Sequence, residues 1–75
     1  MILVTGATGF LGSVLTRQLV EAGERVRILR RERSRLDGLG DAADRVEHAV
    51  GDVAVPEAVR EALRGVERVY HTAAY

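Results

Sequence analysis

Three glycines stand at a regular spacing near the start of the chain, at positions 6, 9 and 12. An apolar run, Met-Ile-Leu-Val, precedes them, and an amphipathic stretch follows them. A strand that passes through a glycine turn into a helix exposes backbone N–H groups at the helix N-terminus, where the helix dipole also favours negative charge. The pattern therefore predicts a site for a phosphate or diphosphate group.

Each glycine has a separate expected role. Gly6 permits a sharp exit from the strand, Gly9 lets the backbone approach a diphosphate, and Gly12 lets the helix lie close to the sheet. The spacing Gly-x-x-Gly-x-x-Gly differs from the usual dinucleotide fingerprint, and the chain has no lysine for a P-loop. A turn that needs glycines only for its own geometry is the alternative interpretation.

Arg30 and Arg31 stand about 20 residues after the glycines, where a dinucleotide-binding chain contacts the adenosine ribose. A carboxylate at this point would bind the 2′-hydroxyl of NAD, whereas a guanidinium binds the 2′-phosphate of NADP. The two arginines thus predict NADP, with NAD as the alternative cofactor. The other interpretation is a pair of solvated arginines in a chain that uses arginine freely.

Asp52 and Val53 follow the third predicted strand. The carboxylate can accept a hydrogen bond from the adenine amine, and the neighbouring backbone can meet the ring. Aspartate is also common in turns and at helix N-caps, so the two interpretations are about equally supported.

Small residues follow the fourth predicted strand at Thr72, Ala73 and Ala74. They leave room for a ribose and a nicotinamide to pass close to the backbone. His71 is interpreted as a packed or hydrogen-bonded histidine rather than a base, and His48 as a surface or edge residue.

Hydrophobic periodicity indicates which elements bring these positions together. Strands are expected at 1–4, 25–30, 45–50 and 66–74, helices at 10–22 and 56–64, and a short irregular helix at 35–43. The two helices are expected to bury Leu11, Val14, Leu15, Leu19 and Ala22, and Val55, Val59, Ala62 and Leu63. The order β-α-β-(α)-β-α-β predicts an α/β fold, a Rossmann-type parallel sheet forming an incomplete doubly wound fold, with its ligand at the carboxyl ends of the strands.

Composition narrows the class of protein. A chain of 75 residues forms at most one small domain, and 47% hydrophobic with 29% charged residues is typical of a soluble globular chain. The absence of cysteine excludes disulfides, and two histidines make a metal site improbable. With no long apolar segment or signal peptide, we expect a cytoplasmic protein without a membrane partner. The arginine-rich run 25–35 has no interleaved aromatic residues, which disfavours nucleic-acid binding.

Taken together, the motifs resemble the extended short-chain dehydrogenase/reductase family, which includes NAD-dependent epimerases and dehydratases and the dihydroflavonol-reductase-like branch. The matching segments are Thr5-Gly-Ala-Thr-Gly-Phe-Leu-Gly12, Val26-Arg-Ile-Leu-Arg-Arg31, Gly51-Asp-Val53 and His71-Thr-Ala-Ala74. In order and spacing they extend over nearly the whole chain. The resemblance implies a dinucleotide-binding domain.

The resemblance also assigns roles to individual positions. It implies that the residues around the diphosphate are Gly6, Thr8, Gly9, Phe10 and Leu11. It places Arg31 at the NADP 2′-phosphate, and Arg30 where NAD-using epimerases keep an aspartate. Asp52 and Val53 would meet the adenine, and the nicotinamide-ribose side would be lined by Thr72, Ala73 and Ala74.

The family's catalytic Tyr-x-x-x-Lys pair has no counterpart here, because the chain contains no lysine. We therefore expect residues 1–75 to be the N-terminal part of one NAD(P)-binding Rossmann domain, inactive alone, from an oxidoreductase or epimerase. Its substrate would be a sugar nucleotide or a carbonyl or alcohol compound. The alternative is an NADP-sensing regulatory module without catalysis. An open sheet edge after the fourth strand predicts self-association.

Overall fold

The computed structural model describes residues 1–72 and contains one four-stranded parallel sheet. The strands are β1 (Ile2–Thr5), β2 (Val26–Arg30), β3 (Glu47–Val50) and β4 (Arg68–His71), in the order β3-β2-β1-β4. The helices are α1 (Phe10–Glu21) and α2 (Pro56–Ala62), and an irregular 3₁₀ segment spans Asp37–Asp44. The predicted Rossmann-type α/β fold is confirmed. The strand order reverses beside β1, which places a crevice at the carboxyl ends of β1 and its neighbours.

The two faces of the sheet bury alternate residues of each strand. Ile2 and Val4 of β1 lie with Ile28 of β2 in one apolar cluster, which α1 and the 3₁₀ segment cover. Leu3 points to the opposite face, where it packs with Leu29 and with Ala62 of α2. Because side chains alternate along a strand and both faces are covered, Ile2, Leu3 and Val4 are all apolar.

Helix α1 contacts the sheet with a face that only partly matches the predicted apolar stripe, because Leu19 packs against the core cluster but Leu11 and Ala22 are exposed. Its buried positions are Gly12, Ser13, Thr16 and Val20, while Leu11 is 68% exposed. The hydroxyl of Thr16 donates to the carbonyl of Gly12 at 2.8 Å, so its burial leaves no unpaired polar group. Small residues on this face let the helix approach the sheet closely.

Helix α2 is also less buried than predicted. Ala62 is only 1% exposed, as expected, and Val59 is partly buried, but Val55 and Leu63 are 46% and 40% exposed. Pro56 occupies the start of the helix, where a missing N–H is tolerated, and Glu57 lies in the first turn. The prediction that Val55 and Leu63 face inward is wrong, because this short helix contacts the sheet mainly through Ala62 and Val59.

Arg27 ties α2 to the sheet. Its Nη1 donates to the carbonyl oxygens of Ala62 and Arg64, each at 2.7 Å, and its Nε donates to Glu47 Oε1 at 2.9 Å. The last carbonyls of a helix have no partner within the helix, and the helix dipole favours a cation there. One arginine on β2 thus connects β3 with the C-terminal end of α2.

Within residues 1–72, no helix combines the length and apolar character that a membrane crossing requires.

Candidate functional site

The glycine turn joins the end of β1 to the start of α1. Gly6 has a φ of 72°, in the left-handed region that favours glycine, and the Gly9 N–H donates to the Gly6 carbonyl at 3.1 Å. Gly9 is the N-cap residue of α1, and no side chain caps this helix. The first N–H groups of α1 therefore have neither an intrahelical partner nor a side-chain cap, which is the arrangement that binds anions.

Close packing requires glycine at position 12. A Cβ on Gly12 would lie 1.9 Å from the Gly6 carbonyl oxygen and 2.6 Å from the Thr72 hydroxyl. At Gly9, by contrast, the nearest atom to an added Cβ would be the Gly6 oxygen at 3.4 Å, so Gly9 keeps open space in front of the turn. The two glycines thus have different effects: Gly12 sets the helix against β1 and β4, and Gly9 leaves an approach to the backbone.

Thr72 connects the end of β4 to the same turn. Its backbone N–H and its hydroxyl both donate to the Thr5 carbonyl, at 3.1 and 2.7 Å. The Thr5 hydroxyl in turn hydrogen-bonds to Nδ1 of His71, which agrees with the interpretation of His71 as a hydrogen-bonded residue. The predicted site residues Ala73 and Ala74 lie outside the described residues.

A small cavity of about 150 Å³ opens at the carboxyl ends of the strands. Three segments form it, namely the glycine turn, the end of β2 with its loop, and the loop after β3; the lining residues are Thr5, Gly6, Thr8, Leu29, Arg30, Arg31, Ser34, Gly51 and Val53. Five of these, Gly6, Thr8, Arg30, Arg31 and Val53, are site residues that the sequence predicts. The structure therefore brings together backbone amides, two cations and an apolar wall.

Phe10 and Leu11 come soon after the lining residue Thr8 in the sequence, but they do not line the cavity. Their side chains are 88% and 68% exposed at the start of α1, so any contact with a diphosphate would come from their backbone N–H groups. A larger cavity of about 820 Å³ lies between α1 and the 3₁₀ segment and contains none of the predicted site residues.

Polar groups at the cavity also form ion pairs and hydrogen bonds with one another. Arg31 Nη2 lies 3.6 Å from Asp52 Oδ2, and the Arg31 N–H donates to the Ser34 hydroxyl at 3.1 Å. Asp52 Oδ1 accepts from the Ala54 N–H at 2.8 Å, which is the turn role that the sequence offered as an alternative. The carboxylate can serve that turn and still present its second oxygen to a ligand or to Arg31.

Arg30 is held by contacts that the sequence did not predict. Its Nε donates to Nδ1 of His48 at 2.8 Å, and its Nη1 donates to the carbonyls of Arg31 and Glu32. His48 lies exposed on the edge strand β3, as predicted. Its contact with Arg30 depends on the register of β2 and β3, which sequence spacing does not reveal.

Another missed feature is Gly51, just after β3. A Cβ there would lie 2.7 Å from the Cβ of Ala58, so glycine is needed where α2 crosses the end of the strand. Asp52 and Val53 identify this loop as a candidate site in the sequence, but no sequence pattern predicts the close contact between Gly51 and α2.

One arginine away from the cavity has a shifted pKa. The pKa of Arg68 is raised above its usual value, chiefly by the hydrogen bond that Nη1 donates to the Tyr70 hydroxyl at 3.5 Å.

Comparison with known proteins agrees with this geometry. An NAD(P)H-binding family model matches residues 6–75. Sterol demethylase protein B of Methylococcus capsulatus is 51% identical over 73 residues, which cover 97% of this chain and 22% of that protein. The (4-alkanoyl-5-oxo-2,5-dihydrofuran-3-yl)methyl phosphate reductase of Streptomyces griseus is 47% identical over 70 residues, covering 93% of this chain and 23% of the relative.

A solved structure shows the same likeness. UDP-glucose 4-epimerase of Thermus thermophilus, in complex with NAD, superposes with a TM-score of 0.80 and 28% identity, covering 99% of this chain and 24% of the epimerase. The chain thus spans about a fifth to a quarter of the length of these relatives. None of the three names favours the regulatory alternative. The glycine turn, the sheet order and these matches agree that the chain belongs to the NAD(P)H-binding family, in the extended short-chain dehydrogenase/reductase group.

Proposed function

We propose that this chain binds NADP in preference to NAD, as the cofactor-binding part of a reductase or epimerase. The observation that carries the proposal is the shared cavity of the glycine turn with Arg30 and Arg31. A diphosphate and a 2′-phosphate are both anions. The cavity is lined by Gly6 and Thr8 of the turn that leads into the uncapped start of α1, and by Arg30 and Arg31, whose guanidinium groups are cations. A carboxylate, which would favour the 2′-hydroxyl of NAD, is not present at position 30 or 31.

The proposed contacts involve four parts of the cofactor. Backbone N–H groups of Thr8, Phe10 and Leu11 hold the diphosphate. Gly6 shapes the turn, Gly9 leaves room for the diphosphate to approach, and Gly12 keeps the helix close to the sheet. Arg30 and Arg31 bind the 2′-phosphate, and Asp52 and Val53 meet the adenine. Thr72, Ala73 and Ala74 line the side of the nicotinamide ribose. When bound, the nicotinamide supplies hydride transfer, and the residues of this chain orient it.

For the whole protein we propose oxidation or reduction at a carbonyl or alcohol carbon, of a sugar nucleotide or of a smaller compound. The names of the relatives support this range, since they include a reductase and a sugar-nucleotide epimerase. Residues 1–75 would form the N-terminal part of the Rossmann domain. The acid/base residues of the reaction would then come from other parts of the protein, because no Tyr-x-x-x-Lys pair is present here.

The test is the ratio of NADP to NAD affinity in the full chain and in an Arg30→Ala/Arg31→Ala variant. A hydrogen bond to a charged group contributes about 1.5–3 kcal/mol, so the ratio should fall by roughly 10- to 150-fold. The matched control is Arg33→Ala/Arg35→Ala, which removes the same charge from the same loop but from residues outside the cavity lining. An unchanged ratio in the first variant, or an equal fall in the control, would remove the 2′-phosphate assignment.

A further inference from the structure

His48 links Arg30 to the 3₁₀ segment through two hydrogen bonds. Nδ1 of His48 lies 2.8 Å from Nε of Arg30, and Nε2 lies 2.7 Å from the carbonyl oxygen of Ala43. The sheet register sets His48 beside Ile28, two residues before Arg30 in the neighbouring strand, so both side chains lie on the same face. The imidazole thus bridges the edge of the sheet and the end of the 3₁₀ segment.

The two partners determine the tautomer of this imidazole. The Nε–H of an arginine can only donate, so Nδ1 of His48 must be the acceptor. A carbonyl oxygen can only accept, so Nε2 must carry the proton. This arrangement needs a neutral imidazole protonated on Nε2, because a second proton on Nδ1 would place a donor against a donor.

Arg30 is consequently held in one orientation at the cavity. His48 takes the Nε–H, and the carbonyls of Arg31 and Glu32 take Nη1 at 3.1 and 3.4 Å. For Nη2 no hydrogen-bond partner is found among residues 1–72, so its two N–H groups remain for a ligand. A long, partly exposed arginine otherwise loses considerable rotamer freedom when it binds. Fixing it beforehand reduces that loss.

We infer that His48 is a positioning residue for cofactor selectivity, which acts by orienting the Arg30 guanidinium toward the 2′-phosphate of the dinucleotide. The inference rests on the proposed function, since it requires that Arg30 bind that phosphate. His48 itself does not line the cavity, and it affects the ligand only through Arg30.

The test compares three variants of the full chain by their dissociation constants for NADP and NAD. His48→Leu keeps a similar volume but removes both nitrogens, and the NADP-to-NAD affinity ratio should fall about three- to tenfold, with NAD affinity unchanged. His48→Asn places an acceptor oxygen near the position of Nδ1, and the ratio should stay within about twofold of the wild type. Arg30→Ala is measured in the same series.

The outcomes separate the two proposals. If Arg30→Ala lowers the ratio and His48→Leu does not, the positioning role is overturned while the 2′-phosphate assignment stands. If Arg30→Ala leaves the ratio unchanged, the assignment of Arg30 fails and the role of His48 fails with it. Equal losses of NADP and NAD affinity in His48→Leu would indicate a structural role only, which also overturns the inference.

A second measurement does not depend on cofactor or on a variant that folds. Nitrogen-15 NMR of the imidazole in the cofactor-free wild-type protein distinguishes a proton on Nε2 from one on Nδ1. We expect the Nε2-protonated neutral form, with Nδ1 as the hydrogen-bond acceptor. A proton found on Nδ1 would overturn the inference, because Arg30 could not then donate to it.

Discussion

Arg31 and Asp52 form an ion pair across the gap between the end of β2 and the loop after β3, with Nη2 and Oδ2 3.6 Å apart. Their side chains are 73% and 40% exposed, so water weakens the attraction. Asp52 cannot turn away freely, because its other oxygen accepts from the Ala54 N–H. The residue proposed for the 2′-phosphate is thus already in contact with the residue proposed for the adenine.

Asp52→Asn should therefore raise the NADP-to-NAD affinity ratio. Asparagine keeps an oxygen for the Ala54 N–H but removes the charge that competes with a phosphate for Arg31. An exposed pair is worth about 0.2–1 kcal/mol, so the expected rise is up to roughly fivefold, and the free energy of unfolding should change by less than about 0.5 kcal/mol. Titration with both cofactors measures the ratio.

The matched control is Asp37→Asn, which breaks an exposed pair with Arg35 at 2.8 Å away from the cavity and should leave the ratio unchanged. A lower ratio in Asp52→Asn would mean that Asp52 orients Arg31 for the phosphate instead of competing with it.

Local patterns were enough to predict the architecture. The apolar run before Thr5, the glycine turn and the alternation of strands with helices each depend on nearby residues, and together they determine a parallel sheet. The carboxyl ends of its strands then bring Arg30, Arg31 and Val53 to one cavity, because neighbouring parallel strands end on the same side.

The glycine spacing predicted the close approach at Gly12, but the other contacts of this kind could not be predicted in this way. The periodicity of α1 favours Leu11, yet Ser13 and Thr16 are buried beside Gly12, since a helix near a sheet needs small side chains there. The hydroxyls of Ser13 and Thr16 are satisfied by carbonyls of the helix itself, which no hydropathy pattern records. The bond from Arg30 to His48 depends likewise on strand register.

Alanine at the two glycines of the turn should have opposite consequences. In Gly12→Ala the new methyl would lie 1.9 Å from the Gly6 oxygen, and we expect a loss of about 1–3 kcal/mol in the free energy of unfolding. In Gly9→Ala the closest atom is 3.4 Å away and the backbone is extended, so stability should fall by less than about 0.5 kcal/mol.

For cofactor affinity, Gly9→Ala should be the more damaging of the two variants. If the diphosphate meets the backbone at Gly9, the methyl of Gly9→Ala blocks it, and affinity for both NADP and NAD should fall at least about tenfold, or 1.4 kcal/mol. Denaturant unfolding and cofactor titration on the same samples measure the two effects. Unimpaired binding by Gly9→Ala would contradict the proposed position of the diphosphate.

Arg27 should contribute more to the free energy of unfolding than an exposed arginine of α2. Arg27→Met keeps the apolar part of the side chain but removes the donors to the carbonyls of Ala62 and Arg64 and to Glu47. We expect a loss of about 1.5–3 kcal/mol in the free energy of unfolding. The control is Arg60→Met on the exposed side of α2, for which the change should be within about 0.5 kcal/mol. Equal losses in the two variants would show that Arg27 does not anchor the helix.

The outer edge of β4 is the proposed surface for self-association of the 75-residue chain. Within residues 1–72, β4 pairs only with β1, and Val69 in its centre is 47% exposed. Unpaired strand edges and exposed apolar side chains favour association, and lysine opposes it. Val69→Lys should therefore weaken concentration-dependent association in sedimentation experiments at tens of micromolar.

The control is Val50→Lys on the opposite edge strand β3, where Val50 is 55% exposed beside the polar Glu47 and His48. A stable wild-type monomer, or an equal effect of both variants, would exclude association through β4.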